Sequence, residues 1–278
     1  MSVLLFTILL LLGATLAGLL GSLTGLGGGV VLIPLLTLVF KVDIHYAIGT
    51  SLISVIATSS GAAASYVKEG ITNIRLGMFL EVATTIGAIA GAFLATYIAT
   101  SWIAIIFGVI LILSALTSFS RHHEKIKEEP AGRLSTQLKL SGSFPSENGI
   151  QHYTVKHVAG GFVMMNVAGI ISGLLGIGSG ALKVIAMDRI MQIPFKVSTT
   201  TSNFMIGVTA AASAGIYLKR GYIDPGLSMP VMLGVLLGAF IGTKILFRAN
   251  TKALKLLFAI VVLFLALEMI YNGITHQL

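Results

Sequence analysis

Ten apolar blocks dominate this chain. They run over 3–20, 25–40, 46–67, 76–98 and 102–119, and, beyond a polar stretch, over 157–175, 177–193, 197–218, 226–247 and 252–272. Blocks of this size carry a helix across a hydrocarbon core about 30 Å thick at about 1.5 Å per residue. A soluble helical protein would alternate apolar and polar residues with a 3.6-residue period instead. Composition supports the same solvent. Charged residues are 10% of the chain and the mean hydropathy is +0.96, whereas an ordinary soluble domain is about 25% charged. The chain therefore reads as an all-α integral membrane protein.

The net charge of +8 does not imply a nucleic-acid partner. The basic residues sit in the short connections between apolar blocks, where they orient a membrane protein. With no cysteine in the sequence, disulfides, thiolate metal sites and cysteine nucleophiles are excluded. The first block has no Lys or Arg before it, the first being Lys41, so it lacks the positive flank of a signal peptide and reads as a retained span.

The two halves repeat. A shift of 151 positions lays Gly25-Leu-Gly27-Gly28-Gly29 on Gly176-Ile-Gly178-Ser179-Gly180, Thr50-Ser51 on Thr201-Ser202, Tyr66 on Tyr217 and Gly70 on Gly221. After a four-residue deletion, Gly87-x-x-x-Gly91 falls on Gly234-x-x-x-Gly238. Three regions follow: a first transmembrane repeat (1–119), a linker (120–156) and a second transmembrane repeat (157–278). Five crossings per half invert the second half. Of the 17 Lys and Arg other than Lys183, 14 then share the linker's side, which makes that side cytoplasmic and leaves both termini outside. Re-entrant second and seventh blocks would reduce the split to 10 against 7, so the charge pattern prefers about ten transmembrane helices as two inverted five-helix repeats.

The glycine clusters break the helices, and the short segments after them fall short of the core thickness. Their glycines must then dip into the membrane, where irregular backbone survives only if buried in protein or lining a cavity. Free N–H groups would converge there from both faces, which suits an anion. The substrate-binding candidates are Gly27, Gly28 and Gly29 with Thr50 and Ser51, and Gly178, Ser179 and Gly180 with Thr201, Ser202 and Asn203. Lys183 joins them as an intramembrane charge one turn beyond Gly180, although a long stem can also snorkel to an interface. Glu81 and Glu268 are weaker candidates for carrying a coupling proton. Gly87, Gly91, Gly234 and Gly238 read as helix-packing positions. The six histidines have no metal-ligand spacing within a span, and a serine nucleophile has no histidine near it in the chain. Neither a metal, nor a cofactor, nor an enzyme activity is expected.

The segment Gly21-Ser-Leu-Thr-Gly25-Leu-Gly27-Gly28-Gly29-Val-Val-Leu-Ile-Pro34-Leu35, followed by Ala47-x-x-Thr50-Ser51, resembles the sulfite exporter TauE/SafE family, also called the 4-toluene sulfonate uptake permeases. Gly176-x-Gly178-x-Gly180 and Thr201-Ser202 look like its second motif. Ser179, Lys183 and Ile185 depart from the simplest pattern. The resemblance implies a secondary transporter of sulfite, organosulfonates or related small sulfur anions in a prokaryotic inner membrane. An inside-negative potential favours anion export by about 2.3 kcal/mol per charge per 100 mV, whereas uptake needs a coupling ion. Export is the favoured direction. Import of an organosulfonate or other organic anion is the alternative, and a non-transporting assembly factor or sensor is the reading from another class.

Overall fold

The computed structural model describes residues 3–24, 28–68, 70–118, 132–146, 149–246 and 251–275. The first half holds α1 (Val3–Thr24), α2 (Gly29–Pro34), α3 (Ile44–Lys68), α4 (Ile74–Ala95) and α5 (Thr100–Ser118). A small insert follows, with α6 (Arg133–Gln137) and an antiparallel hairpin of β1 (Gly142–Ser146) and β2 (Gly149–Tyr153). The second half holds α7 (Val158–Leu175), α8 (Gly180–Ile185), α9 (Phe195–Lys219), α10 (Pro225–Leu246) and α11 (Thr251–Ile274). Each apolar block thus contains a helix. Among the described residues, Leu4–Gly21, Ile74–Ala95, Val158–Leu175 and Pro225–Gly242 are both long and apolar enough to cross a bilayer.

The exterior is apolar, which only a lipid solvent accepts. On α4, Met78, Val82, Ile86, Ile89 and Phe93 are exposed, while Leu76, Leu80, Ala83, Ala88 and Ala92 of the other face are buried. Exposed Met229, Leu233, Leu237, Phe240 and Ile241 repeat this pattern on α10. Spacings of three and four keep each set on one helical stripe. In contrast, α3 and α9 bury a polar stripe: Thr50, Ser51 and Ser54 on one, Thr201, Ser202, Thr209 and Ser213 on the other. These two helices pack on each other at the centre, so protein rather than lipid meets their hydroxyls.

Glycine sets the closest helix contacts. A Cβ on Gly87 or Gly91 would strike the carbonyls of Asn166 or Ile170 on α7, and one on Gly169 or Gly173 would strike those of Thr84 or Ala88 on α4. The register rises together on both chains, so α4 and α7 run parallel. Gly234 and Gly238 of α10 meet Leu11 and Thr15 of α1 in the same way. The packing partners exchange when the halves are swapped: α1 with α10 answers α7 with α4, and α3 with α10 answers α9 with α4. Meanwhile α3 and α9 lie antiparallel. Gly49, near the start of α3, abuts the Tyr222 carbonyl just past α9, and the Asn73 N–H, beyond the end of α3, donates to Thr201 Oγ1 in the second turn of α9 at 3.1 Å.

Backbone detail repeats at the same 151-residue offset. Both short helices continue into a π-helical turn, Leu35–Val39 after α2 and Ala186–Ile190 after α8. Phe40 N–H donates to Leu35 O and Met191 N–H to Ala186 O; Val42 N–H donates to Leu36 O and Ile193 N–H to Met187 O. The left-handed residues Lys41 (φ 53) and Gln192 (φ 55) close the two turns, and Gly70 and Gly221 form another such pair. Pro34 precedes the first π turn but Ile185 precedes the second, so proline is not what winds them.

The polar stretch between the halves is folded over 132–146 and 149–155 rather than merely a solvated connection. Leu140, Phe144, Tyr153 and Val155 are buried against Leu76, Leu80 and Met191. Asn73 anchors the insert: its Oδ1 caps α4 by accepting from Leu76 N–H at 3.0 Å, and its Nδ2 donates to Tyr153 OH at 2.7 Å and to Leu140 O at 2.8 Å. Burial pushes the Tyr153 phenol up to about 12, against the lowering by the Asn73 amide. On the opposite end, the His45 ring donates towards Asp43 Oδ1 at 3.2 Å and holds that carboxyl below its ordinary value.

The glycine crossings make a direct prediction. Gly91→Val or Gly173→Val forces two helix backbones apart and is expected to abolish the monodisperse folded protein in detergent, read by size-exclusion profile and thermal unfolding. Gly215→Ala, where an added Cβ meets nothing within 4 Å, is expected to leave both unchanged.

Candidate functional site

The glycine turns before α2 and α8 are where the polar interior of the fold concentrates. Helix α2 with its π turn covers 29–39, and α8 with its π turn covers 180–190. Eleven helical residues rise about 17 Å at most, well short of a core about 30 Å thick. Their N-terminal ends therefore lie inside the bundle, where backbone polar groups need protein or a ligand as partners.

The two turns meet. Ser51 Oγ on α3 donates to the carbonyl of Gly176 at 2.9 Å, and a Cβ on Gly29 would sit 2.6 Å from that Oγ and 3.3 Å from the Gly176 oxygen. Gly28 N-caps α2 with an ordinary helical φ of −65°, and its carbonyl accepts from Leu32 N–H at 3.0 Å. The segment before α8 is left-handed at three positions. Gly176 and Gly178 have φ of 66° and 72°, and Ser179 has φ of 47°, a region that favours glycine. Ser202 Oγ on α9 donates to Gly180 O at 3.2 Å. Val55 and Ile206 fill the space beside Gly178.

The candidates read from the sequence fall into three groups. Gly28, Gly29, Ser51, Gly178, Ser179, Gly180 and Ser202 come together around the turns. Thr50 and Thr201 are buried alongside, Thr50 Oγ1 lying 3.3 Å from Ser228 Oγ and Thr201 Oγ1 accepting from Asn73. Asn203 is half-buried, and Gly27 lies outside the described residues. The hydroxyl positions are in the second turns of α3 and α9 rather than at helix starts. Most of these hydroxyls bond protein groups. Ser179 Oγ and Ser172 Oγ are different: both are buried and have no hydrogen-bond partner.

Lys183 is fully buried, and its backbone N–H donates to Ser179 O, tying it to the turn. Its Nζ donates to Thr209 Oγ1 on α9 at 2.6 Å, and Thr209 Oγ1 donates to Glu81 Oε1 on α4 at 2.7 Å. Thr85 Oγ1 also donates to Glu81 Oε1, at 3.2 Å, while Glu81 Oε2 is buried without a partner. Lys183 does not snorkel. Sequence reasoning singled out the lysine and the glutamate separately but missed Thr209, which joins them. A hydroxyl inside an apolar span was the available signal, shared with many threonines that only bond their own helix. Among the described residues no group of three His, Asp or Glu is placed to hold a metal ion.

A helical membrane protein whose two halves bring broken helices to one buried polar centre belongs to the class of membrane transporters. The match to known proteins gives the family: the model of the sulfite exporter TauE/SafE family covers residues 10–269, and the chain belongs to that family. It is similar to the "Probable membrane transporter protein YunE" of Bacillus subtilis, 29% identical over 97% of this chain and 98% of the relative. It is also similar to the "Probable membrane transporter protein YdhB" of the same organism, 29% identical over 85% and 89%. The archaeal "Probable membrane transporter protein MJ0441" of Methanocaldococcus jannaschii is 23% identical over 90% of each chain. No solved structure matches the chain.

The bond from Ser51 to the other half can be tested alone. Ser51→Ala is expected to lower stability by about 0.5–1.5 kcal/mol, the worth of one neutral hydrogen bond. Gly29→Val is expected to cost more, since its side chain displaces Ser51 and crowds the Gly176 carbonyl. Thermal unfolding in detergent measures both.

Proposed function

We propose that the chain is a secondary transporter of small sulfur-containing oxyanions, sulfite or an organosulfonate, and that the substrate binds where the two glycine turns meet. One observation carries this reading: Ser179 holds a left-handed backbone and a buried hydroxyl with no partner. Both features cost stability, and such costs are kept where function uses them. A small oxyanion offers acceptor oxygens for the hydroxyls of Ser179 and Ser172, and Lys183 supplies positive charge one turn away. Gly28, Gly29, Gly178 and Gly180 let backbone approach the ligand.

The ten helices are proposed to cross as two inverted five-helix repeats in a prokaryotic cell membrane. Antiparallel α3 and α9, which are repeat-related, support inversion, and inversion requires an odd number of crossings in each half. The charge distribution then puts residues 120–156 in the cytoplasm and both termini outside. Export is the direction that the membrane potential gives an uncoupled anion. Import is a second reading, favoured by the buried Glu81 and Lys183, because uptake against the potential needs a coupling ion.

Purified protein in liposomes, assayed with a panel of sulfur oxyanions, is expected to move at least one of them. Ser179→Gly is expected to raise thermal stability while slowing that flux several-fold; full flux in the stabilised variant would remove the serine from the site. For topology, Ile150 at the hairpin is 73% exposed, whereas Ser135 is buried, so the reporter belongs at Ile150. Ile150→Cys is expected to resist an impermeant thiol reagent added to intact cells and to react after permeabilisation. Labelling in intact cells would reverse the orientation.

A further inference from the structure

Glu81 and Lys183 are an expensive pair to keep in a membrane interior. Desolvating either charge costs several kcal/mol, and an incompletely satisfied ionic network is worse than apolar packing. The pair is incompletely satisfied here, since Glu81 Oε2 has no partner. The architecture does not require it either. The positions related to Lys183, Thr209 and Glu81 in the other half, at the 151-residue offset that also relates the ends of α4 and α10, are Leu32, Thr58 and Met232. A duplicated fold therefore builds the same junction once with charges and once without.

The geometry is that of a proton relay. Lys183 uses the Thr209 oxygen as acceptor, and the nearest acceptor for the Thr209 proton is Glu81 Oε1 at 2.7 Å, ahead of Met205 O at 3.0 Å and Thr84 Oγ1 at 3.5 Å. Shifting one proton along each bond turns an ammonium and a carboxylate into an amine and a carboxylic acid, with Thr209 unchanged. From the ammonium and carboxylate form, a proton taken up from outside at the open Glu81 Oε2 gives a neutral acid beside the ammonium, and the trio then carries a net charge of one plus. Among the described residues, the helices packed on α4 bring no other charge to Glu81, and on α4 itself Arg75 lies at the helix start. α4 packs on α7 and α9. α7 has no ionisable side chain, Lys196 and Lys219 lie at the ends of α9, and Tyr217 OH donates to Gly173 O and Leu174 O.

We infer that Glu81, Thr209 and Lys183 form a proton-binding site, and that its proton and the transported anion occupy the protein together. The reason is electrostatic. The backbone of Lys183 bonds Ser179 O, so the positive charge left when Glu81 is protonated is carried by a side chain tethered to the turn proposed to hold the anion, and it favours the anion's occupancy. By linkage the anion favours the proton equally. A monoanion moving with one proton carries no net charge, so a proton gradient directed inward drives uptake even against the membrane potential. This inference rests on the transporter reading above and decides between its two directions.

The test uses the full chain in liposomes with the membrane potential clamped at zero, sulfite as the probe, and protein-free liposomes as the blank. An inward proton gradient is expected to raise sulfite entry several-fold. Glu81→Gln, isosteric with the protonated acid, is expected to lose that gradient response, and so is Thr209→Val. Gradient-insensitive entry in the wild type, sulfite moving against the proton flow, or an undiminished response in Glu81→Gln would each overturn the inference. A second measurement needs no substrate. Infrared difference spectra of the purified protein between two pH values are expected to show a carboxyl band that Glu81→Gln abolishes. No such band overturns the proton site; a band without movement of any sulfur oxyanion sustains the site and rejects the transporter reading instead.

Discussion

Backbone-to-backbone contact at glycine is the interaction on which the rest of this structure depends. Lipid tails are as apolar as the helix surfaces, so no hydrophobic force presses these helices together once they are in the membrane. What remains is dispersion, and it falls steeply with a gap of even half an ångström. Gly87, Gly91, Gly169 and Gly173 remove the side chains between α4 and α7, and Gly18, Gly234 and Gly238 do so between α1 and α10. These two parallel pairs flank the antiparallel α3 and α9. Polar side chains can then be buried along α3 and α9, because the flanking pairs keep lipid away from them.

Glycine has a second role at the turns before α2 and α8, and the two roles call for different backbones. In the crossings the glycines are helical and their value is a missing Cβ. At Gly176 and Gly178 the positive φ ends one helix and starts another within a few residues. The first-half turn is ordinary at Gly28, with φ of −65°. The halves are thus alike in plan and unlike in detail at the centre. The strained serine and the buried lysine both fall on the second-half side, where Gly28 and Leu32 are their first-half counterparts.

The solvent, the all-helical class and the repeated backbone detail were legible because they rest on long-range regularities: block length, apolar composition and a constant offset. The packing role of Gly87 and Gly91 was legible from the four-residue spacing alone. The folded insert was less so, because α6 and the hairpin are short and polar. Their burial depends on Asn73 and on Tyr153, which lie 80 positions apart. At the site, the sequence picked out the glycines and Lys183 by local oddity. It gave no means to see that Ser51 would bond the opposite half's turn, or that Thr209 would bridge Lys183 to Glu81 on another helix. Those are contacts between helices far apart in the chain, and no periodicity encodes them.

The asymmetry of the centre bears on how a duplicated transporter works. A strictly symmetric pair of repeats offers a ligand the same groups from both faces, and nothing ties its occupancy to a second ion. Lys183 in place of a residue like its counterpart Leu32, and Glu81 in place of one like its counterpart Met232, add a charge pair at one of the two related junctions only. Because Thr209 joins the two, neither charge can change without the other responding. The lysine reaches the glycine turn through Ser179, and the glutamate sits on α4, which α7 grips through glycine contacts. A change of charge at the turn is therefore felt by the helices that define the crossing geometry, through packed backbone rather than through a flexible loop. The same close packing that makes the bundle stable without a hydrophobic force also gives the buried charge pair mechanical contact with the rest of the fold.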